Sequence, residues 1–237
     1  MTKNAIITGA GTGVGRHIAI LLSQSGWNLT LTGRTEKTLQ ETFEMAGAND
    51  SNCQMVIGSV ADRSFVTELI ATAETKFGVT EALVNSAGTN TPERTLDVLS
   101  MEDYHDLINT NLHGSYYAIQ AVLPAMRKAK SGTIVNIVSD AALWGMPLAG
   151  AAYTVSKFGL RGLTQAINAE ENKNGIRACG ILPGEIDTPI LKLRPNVPTE
   201  EHRASMLRPE DVAACAKLAI DLPPRAVVQE LLVRPCR

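Results

Sequence analysis

Thr8-Gly9-Ala10-Gly11-Thr12-Gly13-Val14-Gly15 is the stretch that decides the fold. It follows a short apolar run, Lys3 to Thr8 (KNAIIT). It opens a segment, Val14 to Ser25, in which Val14, Ile18, Leu21 and Leu22 recur at helical spacing. A strand, a glycine turn and a helix in that order aim unpaired helix N–H groups and a partial positive charge at the turn. Glycines suit it because the backbone must bend sharply and come close to a pyrophosphate. A glycine turn with no ligand is the plain alternative, and the placement between a first strand and a first helix speaks against it.

Working outward, strand-like and helix-like patterns keep alternating. Asn28 to Thr32 (NLTLT) reads as a second strand, and a helix follows with Thr35 or Thr38 as its cap. Gln54 to Ile57 is a third strand. Asp62 caps a helix running to about Phe77, where Gly78 stops it. Glu81 to Asn85 (EALVN) is a fourth strand, and one long helix follows from about Met101 to Lys128. Thr133 to Val138 (TIVNIV) is apolar enough to be buried on both faces. A helix over Ala151 to Glu171, a strand over Ile176 to Leu182, a helix over Pro209 to Leu222 with Pro in its first turn, and a strand over Val227 to Val233 complete the series. This predicts an α/β fold: a doubly wound, seven-stranded parallel sheet with helices on both faces, a Rossmann-type three-layer arrangement. Residues 1–237 fit one dinucleotide-binding and catalytic domain. Gly184 to Ser205, with Pro189, Pro195 and Pro198, is too long for an ordinary connection and is read as a lid over a substrate, 184–205. A variable surface excursion is the other reading.

Composition narrows the function. The chain is 44% hydrophobic and 19% charged with a net charge of -2, so no basic footprint for nucleic acid is expected. No stretch approaches the ~20 apolar residues of a membrane span, and Met1-Thr2-Lys3-Asn4 lacks a signal peptide's apolar core. Cys53, Cys179, Cys215 and Cys236 show no metal-ligand spacing, so no metal site is expected. A reducing, cytoplasmic location follows as an expectation.

The end of the second strand carries the cofactor choice. An acidic residue there normally holds the adenosine ribose of NAD, whereas this chain reads Thr32-Gly33-Arg34-Thr35. Arg34 offers a permanently charged fork suited to a 2′-phosphate. NADP(H) is therefore preferred, with NAD(H) still open; a solvated Arg at a helix start is the other reading of Arg34.

Tyr153-Thr154-Val155-Ser156-Lys157 sits early in the helix from Ala151, and residues four apart share a helix face. A phenol titrates at about pH 10 in water and needs a neighbouring cation to act as an acid/base near neutrality. Lys157 is placed to be that cation. Ser139 ends the apolar strand TIVNIV, where a hydroxyl can bond a substrate oxygen as it gains charge. Asn85-Ser86-Ala87-Gly88 ends the fourth strand, at the edge where a cofactor loop belongs. Asn111, in Asn109-Thr110-Asn111-Leu112, is an amide inside a helix that wants a buried partner, or else faces solvent.

These motifs, in this order from Thr8 to about Thr188, resemble the classical short-chain dehydrogenase/reductase family. TGxxxGxG, carried by Gly9, Gly13 and Gly15, is its form of the phosphate turn, and NSAG stands where it usually has NNAG. The resemblance implies a catalytic tetrad of Asn111, Ser139, Tyr153 and Lys157. Tyr153 would exchange a proton with the carbonyl oxygen, Ser139 would orient that oxygen, and Lys157 would lower the phenol pKa and hold the nicotinamide ribose. Asn111 would hold a relay water behind Lys157. Cofactor contacts are implied for Gly9, Gly11, Thr12, Gly13, Val14, Gly15, Arg34, Ser59, Val60, Asn85, Ala87, Gly88, Tyr153, Lys157, Pro183, Gly184, Ile186 and Thr188. Among these, the backbone near Ile186 and the Thr188 hydroxyl would hold the carboxamide. The implied reaction interconverts a secondary alcohol and a ketone or aldehyde with a small-molecule substrate, in a homotetramer or dimer.

Three departures bear on specificity. Gly58-Ser59-Val60 replaces the Asp that family members often use for adenine. The Ser139-to-Tyr153 gap is one residue longer than usual, which puts an insertion near Met146 to Gly150 beside the substrate. The tail Leu231 to Arg237 lacks the glycine-rich close of fatty-acid-type ketoreductases. The substrate lining is expected from Trp144 to Leu148, Thr89 to Arg94 and the lid. A sensor or scaffold that binds NADP(H) without turnover is the alternative, and an intact tetrad argues against it.

Overall fold

The first strand, β1 (Asn4–Thr8), is buried at every position, because it lies in mid-sheet with strands on both sides. The computed structural model describes residues 3–236; Met1, Thr2 and Arg237, which enter the readings of the two termini, lie outside the described residues. After β1 come α1 (Gly13–Gln24), β2 (Asn28–Gly33), α2 (Glu36–Met45), β3 (Cys53–Ile57), α3 (Arg63–Phe77) and β4 (Ala82–Asn85). The second half holds α4 (Met101–Ile108), α5 (Gly114–Ala129), β5 (Gly132–Ile137), α6 (Ala151–Glu171), β6 (Ile176–Pro183), α7 (Glu200–Ala204), α8 (Pro209–Asp221) and β7 (Glu230–Val233). The seven strands form one sheet in the order β3-β2-β1-β4-β5-β6-β7, and every pairing is parallel. The sheet reverses its winding between β1 and β4, which opens a crevice above their carboxyl ends.

Neighbouring residues on the central strands feed opposite layers. Ile7, Val84 and Val135 pack with Ile18, Leu22, Val212 and Ala216 on the face covered by α1 and α8. Ile6, Leu83 and Ile134 pack with Val66, Leu69, Ala118 and Val122 on the face covered by α3 and α5. Burial on both faces explains the unbroken apolar runs of these strands. Each such side chain contributes roughly 1.5–3 kcal/mol by leaving water.

The helix punctuation follows local chemistry. Asp62 accepts from the Ser64 and Phe65 N–H groups at the start of α3, and Gly78 ends the helix at φ 81°. Thr35 precedes α2 but makes no side-chain cap. The seventh strand is shorter than the reading from Val227, starting at Glu230. The single helix expected from Met101 to Lys128 is interrupted by a π turn over Asn109–His113. Its wider turn holds Asn111 fully buried. The amide accepts from the Thr89 N–H at 2.8 Å and donates to the Thr89 carbonyl at 3.0 Å. Such inserted residues recur at functional sites because they redirect one side chain without ending the helix.

Candidate active site

A cleft of about 760 Å³ runs across the carboxyl ends of the strands. One end is the phosphate turn. Gly9 takes φ 64°, and a Cβ there would stand 2.7 Å from the Ala87 backbone. A Cβ at Gly15 would stand 2.4 Å from the Gly9 carbonyl oxygen, so α1 packs onto the turn only without a side chain there. Thr12 precedes α1 without using its side chain as a cap, and the first turn carries no acidic residue. The N-terminal N–H groups and the helix dipole are thereby left for an anion. Beyond the turn, exposed Arg34 lines the cleft with Thr35, Thr38 and Ser59. Arg16, nearby, is already committed to Glu41 at 2.8 Å and to the Thr38 carbonyl. These residues fit a dinucleotide phosphate chain with a further phosphate at Arg34.

The middle of the cleft is lined by Ser139, Tyr153 and Lys157. β5 and the turn after it deliver Ser139, and the first turns of α6 deliver Tyr153 and Lys157. The Lys157 ammonium is buried, donates to the Ile137 carbonyl at 2.9 Å and lies 5.5 Å from the centre of the Tyr153 ring. Burial pushes its pKa down to about 8. The phenol of Tyr153 is raised above its ordinary value by burial; the Ser139 hydroxyl opposes the rise, Asp140 adds to it, and the guanidiniums of Arg194 and Arg94 oppose it. The Lys157 ammonium thus bonds a carbonyl at the end of β5 and lies over the Tyr153 ring.

Across from these groups, Pro183, Gly184, Ile186 and Thr188 line the opposite wall. Backbone bonds hold this segment in place: the Gly184 N–H donates to the Val233 carbonyl at 2.8 Å, and the Asp187 N–H to the Leu207 carbonyl at 2.9 Å. The stretch 184–205, expected as an irregular lid, forms a 3₁₀ turn over Pro189–Leu193 and α7. Ion pairs clip it to the wall, Arg194 to Glu185 at 2.8 Å and Arg203 to Asp187 at 2.7 Å.

Of the residues expected in the site, Gly9, Gly11, Thr12, Gly13, Val14, Arg34, Ser59, Val60, Ala87, Gly88, Ser139, Tyr153, Lys157, Pro183, Gly184, Ile186 and Thr188 all line the cleft. Three stand behind it. Asn85 is buried and donates to Asn136 at 2.9 Å, because its position within β4 turns the amide toward β5; Ser86 lines the cleft instead. Gly15 is a packing contact for the turn, as above. Asn111 joins the loop after β4 to α6, donating to Ser156 at 3.2 Å as well as to Thr89. In the expected substrate lining, Asn90, Arg94, Met146 and Leu148 face the cleft. Trp144 does not: its ring lies 4.7 Å from the Arg234 guanidinium, outside the cleft. Glu185, Arg194 and His202 line the cleft from the stretch 184–205, from which lining was expected, while Asp140, also in the lining, was not singled out in the sequence. Asp140 adjoins Ser139 and was legible only as its neighbour.

Fold and cleft define an α/β oxidoreductase of the dinucleotide-binding class. Residues 3–197 match the short chain dehydrogenase family, and the chain belongs to it. It is an oxidoreductase of the kind that acts on CH–OH groups. An uncharacterised oxidoreductase of Staphylococcus saprophyticus is 34% identical over 98% of this chain and 97% of its own. The solved alcohol dehydrogenase of the archaeon Thermococcus sibiricus, complexed with 5-hydroxy-NADP, superposes with a TM-score of 0.86 at 26% identity, covering 99% of this chain and 97% of that one. A serine dehydrogenase complexed with NADP+ gives 0.87 at 27% identity, over 98% and 94%. Among the described residues, no helix is long and apolar enough to cross a membrane. Among them, no group of three or more His, Cys, Asp and Glu side chains is placed to hold a metal ion.

Proposed function

We propose that the chain is an NADP(H)-dependent oxidoreductase that interconverts a secondary alcohol and a ketone, or an aldehyde, with Tyr153 as the acid/base. One observation carries the reading: Ser139, Tyr153 and Lys157 meet in one cleft whose other end presents Arg34 and no carboxylate at the close of β2. NADP(H) supplies or accepts the hydride when bound. Arg34 would pair with its 2′-phosphate, and the N–H groups from Gly11 to Gly15 would hold the pyrophosphate. NAD(H) is accepted with weaker affinity, since it lacks the anion that Arg34 pairs with. Ile186 and Thr188 would orient the carboxamide.

In the reducing direction the Ser139 hydroxyl holds the carbonyl oxygen, and the Tyr153 hydroxyl gives that oxygen its proton. The phenolate left behind is stabilised by the positive charges of Lys157 and Arg194, which line the same cleft. Oxidation runs the same proton transfer backwards. A positioned acid/base contributes ~10²–10⁴-fold. Asn111 is a positioning residue: it ties Thr89 to α6 and so sets the distance between the loop after β4 and Tyr153. The stretch 184–205 acts as a lid over the substrate. The assembly is a homo-oligomer, a tetramer or dimer packed through α5 and α6, which expose Tyr116, Val155 and Phe158 to solvent; molar mass by light scattering tests it.

The deciding experiment follows the absorbance of reduced nicotinamide when purified protein meets NADPH and a panel of ketones and aldehydes. Consumption that depends on the carbonyl compound is expected. Tight NADPH binding with no carbonyl reduced, and no alcohol oxidised with NADP+, would replace this reading with a non-catalytic sensor or scaffold.

A further inference from the structure

Arg94 stands in the loop after β4 and is only 5% exposed, yet it lines the same cleft as Ser139 and Tyr153. Its Nε donates to the Thr91 carbonyl at 2.7 Å, Nη1 to the Leu148 carbonyl at 2.9 Å, and Nη2 to the Leu193 carbonyl. Those carbonyls belong to three separate segments around the substrate end: the loop after β4, the loop before α6, and the 3₁₀ turn after β6. Gly150, at φ 82°, leaves room for it, since a Cβ there would stand 2.6 Å from the Arg94 Cβ.

Carbonyls satisfy donors without neutralising a charge. The other guanidiniums beside this part of the cleft are each matched: Arg194 by Glu185 at 2.8 Å, and Arg234 by Asp140 at 3.3 Å. Among the described residues, Arg94 has no carboxylate partner. A buried cation without a counter-ion is unfavourable, and a guanidinium cannot escape by losing its proton. It also has N–H groups to spare, because three carbonyls engage three of its five donors. The missing partner is an anion small enough to share the substrate end with the reacting carbonyl. Arg94 lines the same cleft as Tyr153, so an anion held there would share the site with the reacting carbonyl.

We propose that Arg94 is the anion-recognising residue of the substrate site, and that the substrate is a hydroxy acid or its oxo acid, bound through its carboxylate. The planar fork suits a carboxylate bidentately. This rests on the reaction proposed above and adds the class of substrate.

The test compares short hydroxy acids with their methyl esters, and the oxo acids with theirs, at fixed NADP+ or NADPH. The acid should exceed its ester in kcat/KM on the order of 10–100-fold, the span that one charged hydrogen bond supplies. Arg94→Met should lower the acid far more than the ester and bring their ratio toward one, while Arg94→Lys should restore part of the ratio. Equal use of acid and ester by the wild type overturns the proposal. So does a loss in Arg94→Met that falls alike on both, which is the signature of a brace alone. Should Arg94→Met fail to fold, the wild-type ratio decides. Turnover of neutral ketones without preference for acids leaves the reaction class standing and removes this inference; no turnover of any carbonyl removes both.

Discussion

At the dinucleotide end of the cleft the wall is main chain and small residues; at the substrate end it is charged side chains brought in by separate loops. In the proposed reading the phosphate turn, Gly9 to Gly15, works through backbone N–H groups, so its chemistry is compressed into a few consecutive residues. The substrate end draws Asn90 and Arg94 from the loop after β4, Met146 and Leu148 from the loop before α6, and Glu185, Arg194 and His202 from the segment after β6. Recognition of a constant group, a pyrophosphate, suits a local and rigid device. Recognition of a variable group suits side chains on loops, which change without disturbing the sheet.

That contrast breaks most sharply at Tyr153, where the two ends meet. Tyr153→Phe should lower kcat by ~10³-fold or more while NADPH binding, followed by fluorescence titration, stays within a few-fold. Residual activity near wild type would remove the phenol from the chemistry.

Gly9→Ala attacks the backbone end alone. Its Cβ would have to share space with the Ala87 backbone at a positive φ. A stability loss of about 3 kcal/mol in urea unfolding, together with loss of NADPH binding, is expected. An unchanged midpoint would mean the turn relaxes more freely than its packing indicates.

Lys157, at the junction, makes stability depend on pH. Its folded pKa of about 8 lies below the ordinary 10.5, so between these values the unfolded chain holds a proton that the folded chain has released. Stability of the apo protein should therefore gain a rising contribution from Lys157 from about pH 8 to about 10.5, on the order of 3 kcal/mol at most. Below pH 8 the buried ammonium exacts its full penalty. Lys157→Met should remove this rise, read as the difference between the two proteins' urea midpoints across that range.

Arg34→Ala should raise the KM for NADPH on the order of 10–30-fold and leave that for NADH nearly unchanged. Equal effects on both cofactors would show that Arg34 meets a group the two dinucleotides share.

The readable part of the site was the part carried by neighbours in the chain. TGxxxGxG names its own role because strand, turn and helix are consecutive, and Tyr153 and Lys157 share a cleft because four residues make about one helical turn. For Asn85 the sequence left open whether the amide faces cofactor or sheet, and its side chain turns to Asn136 on β5. Asn111 was legible as a helix-interior amide, whereas its π turn and its bond to Thr89 depend on the loop after β4 packing alongside.

By itself, the sequence determined the alternation of strands and helices, the parallel sheet, the phosphate turn and the Ser-Tyr-Lys set, since periodicity, glycine spacing and helix pitch are local properties of a chain. Only the tertiary structure decided which cations surround the phenol, that Lys157 bonds the Ile137 carbonyl, and that Arg94 is buried between three segments with no carboxylate partner among the described residues. Those outcomes rest on contacts between residues far apart in sequence, where burial and charge are set by whatever the fold brings alongside.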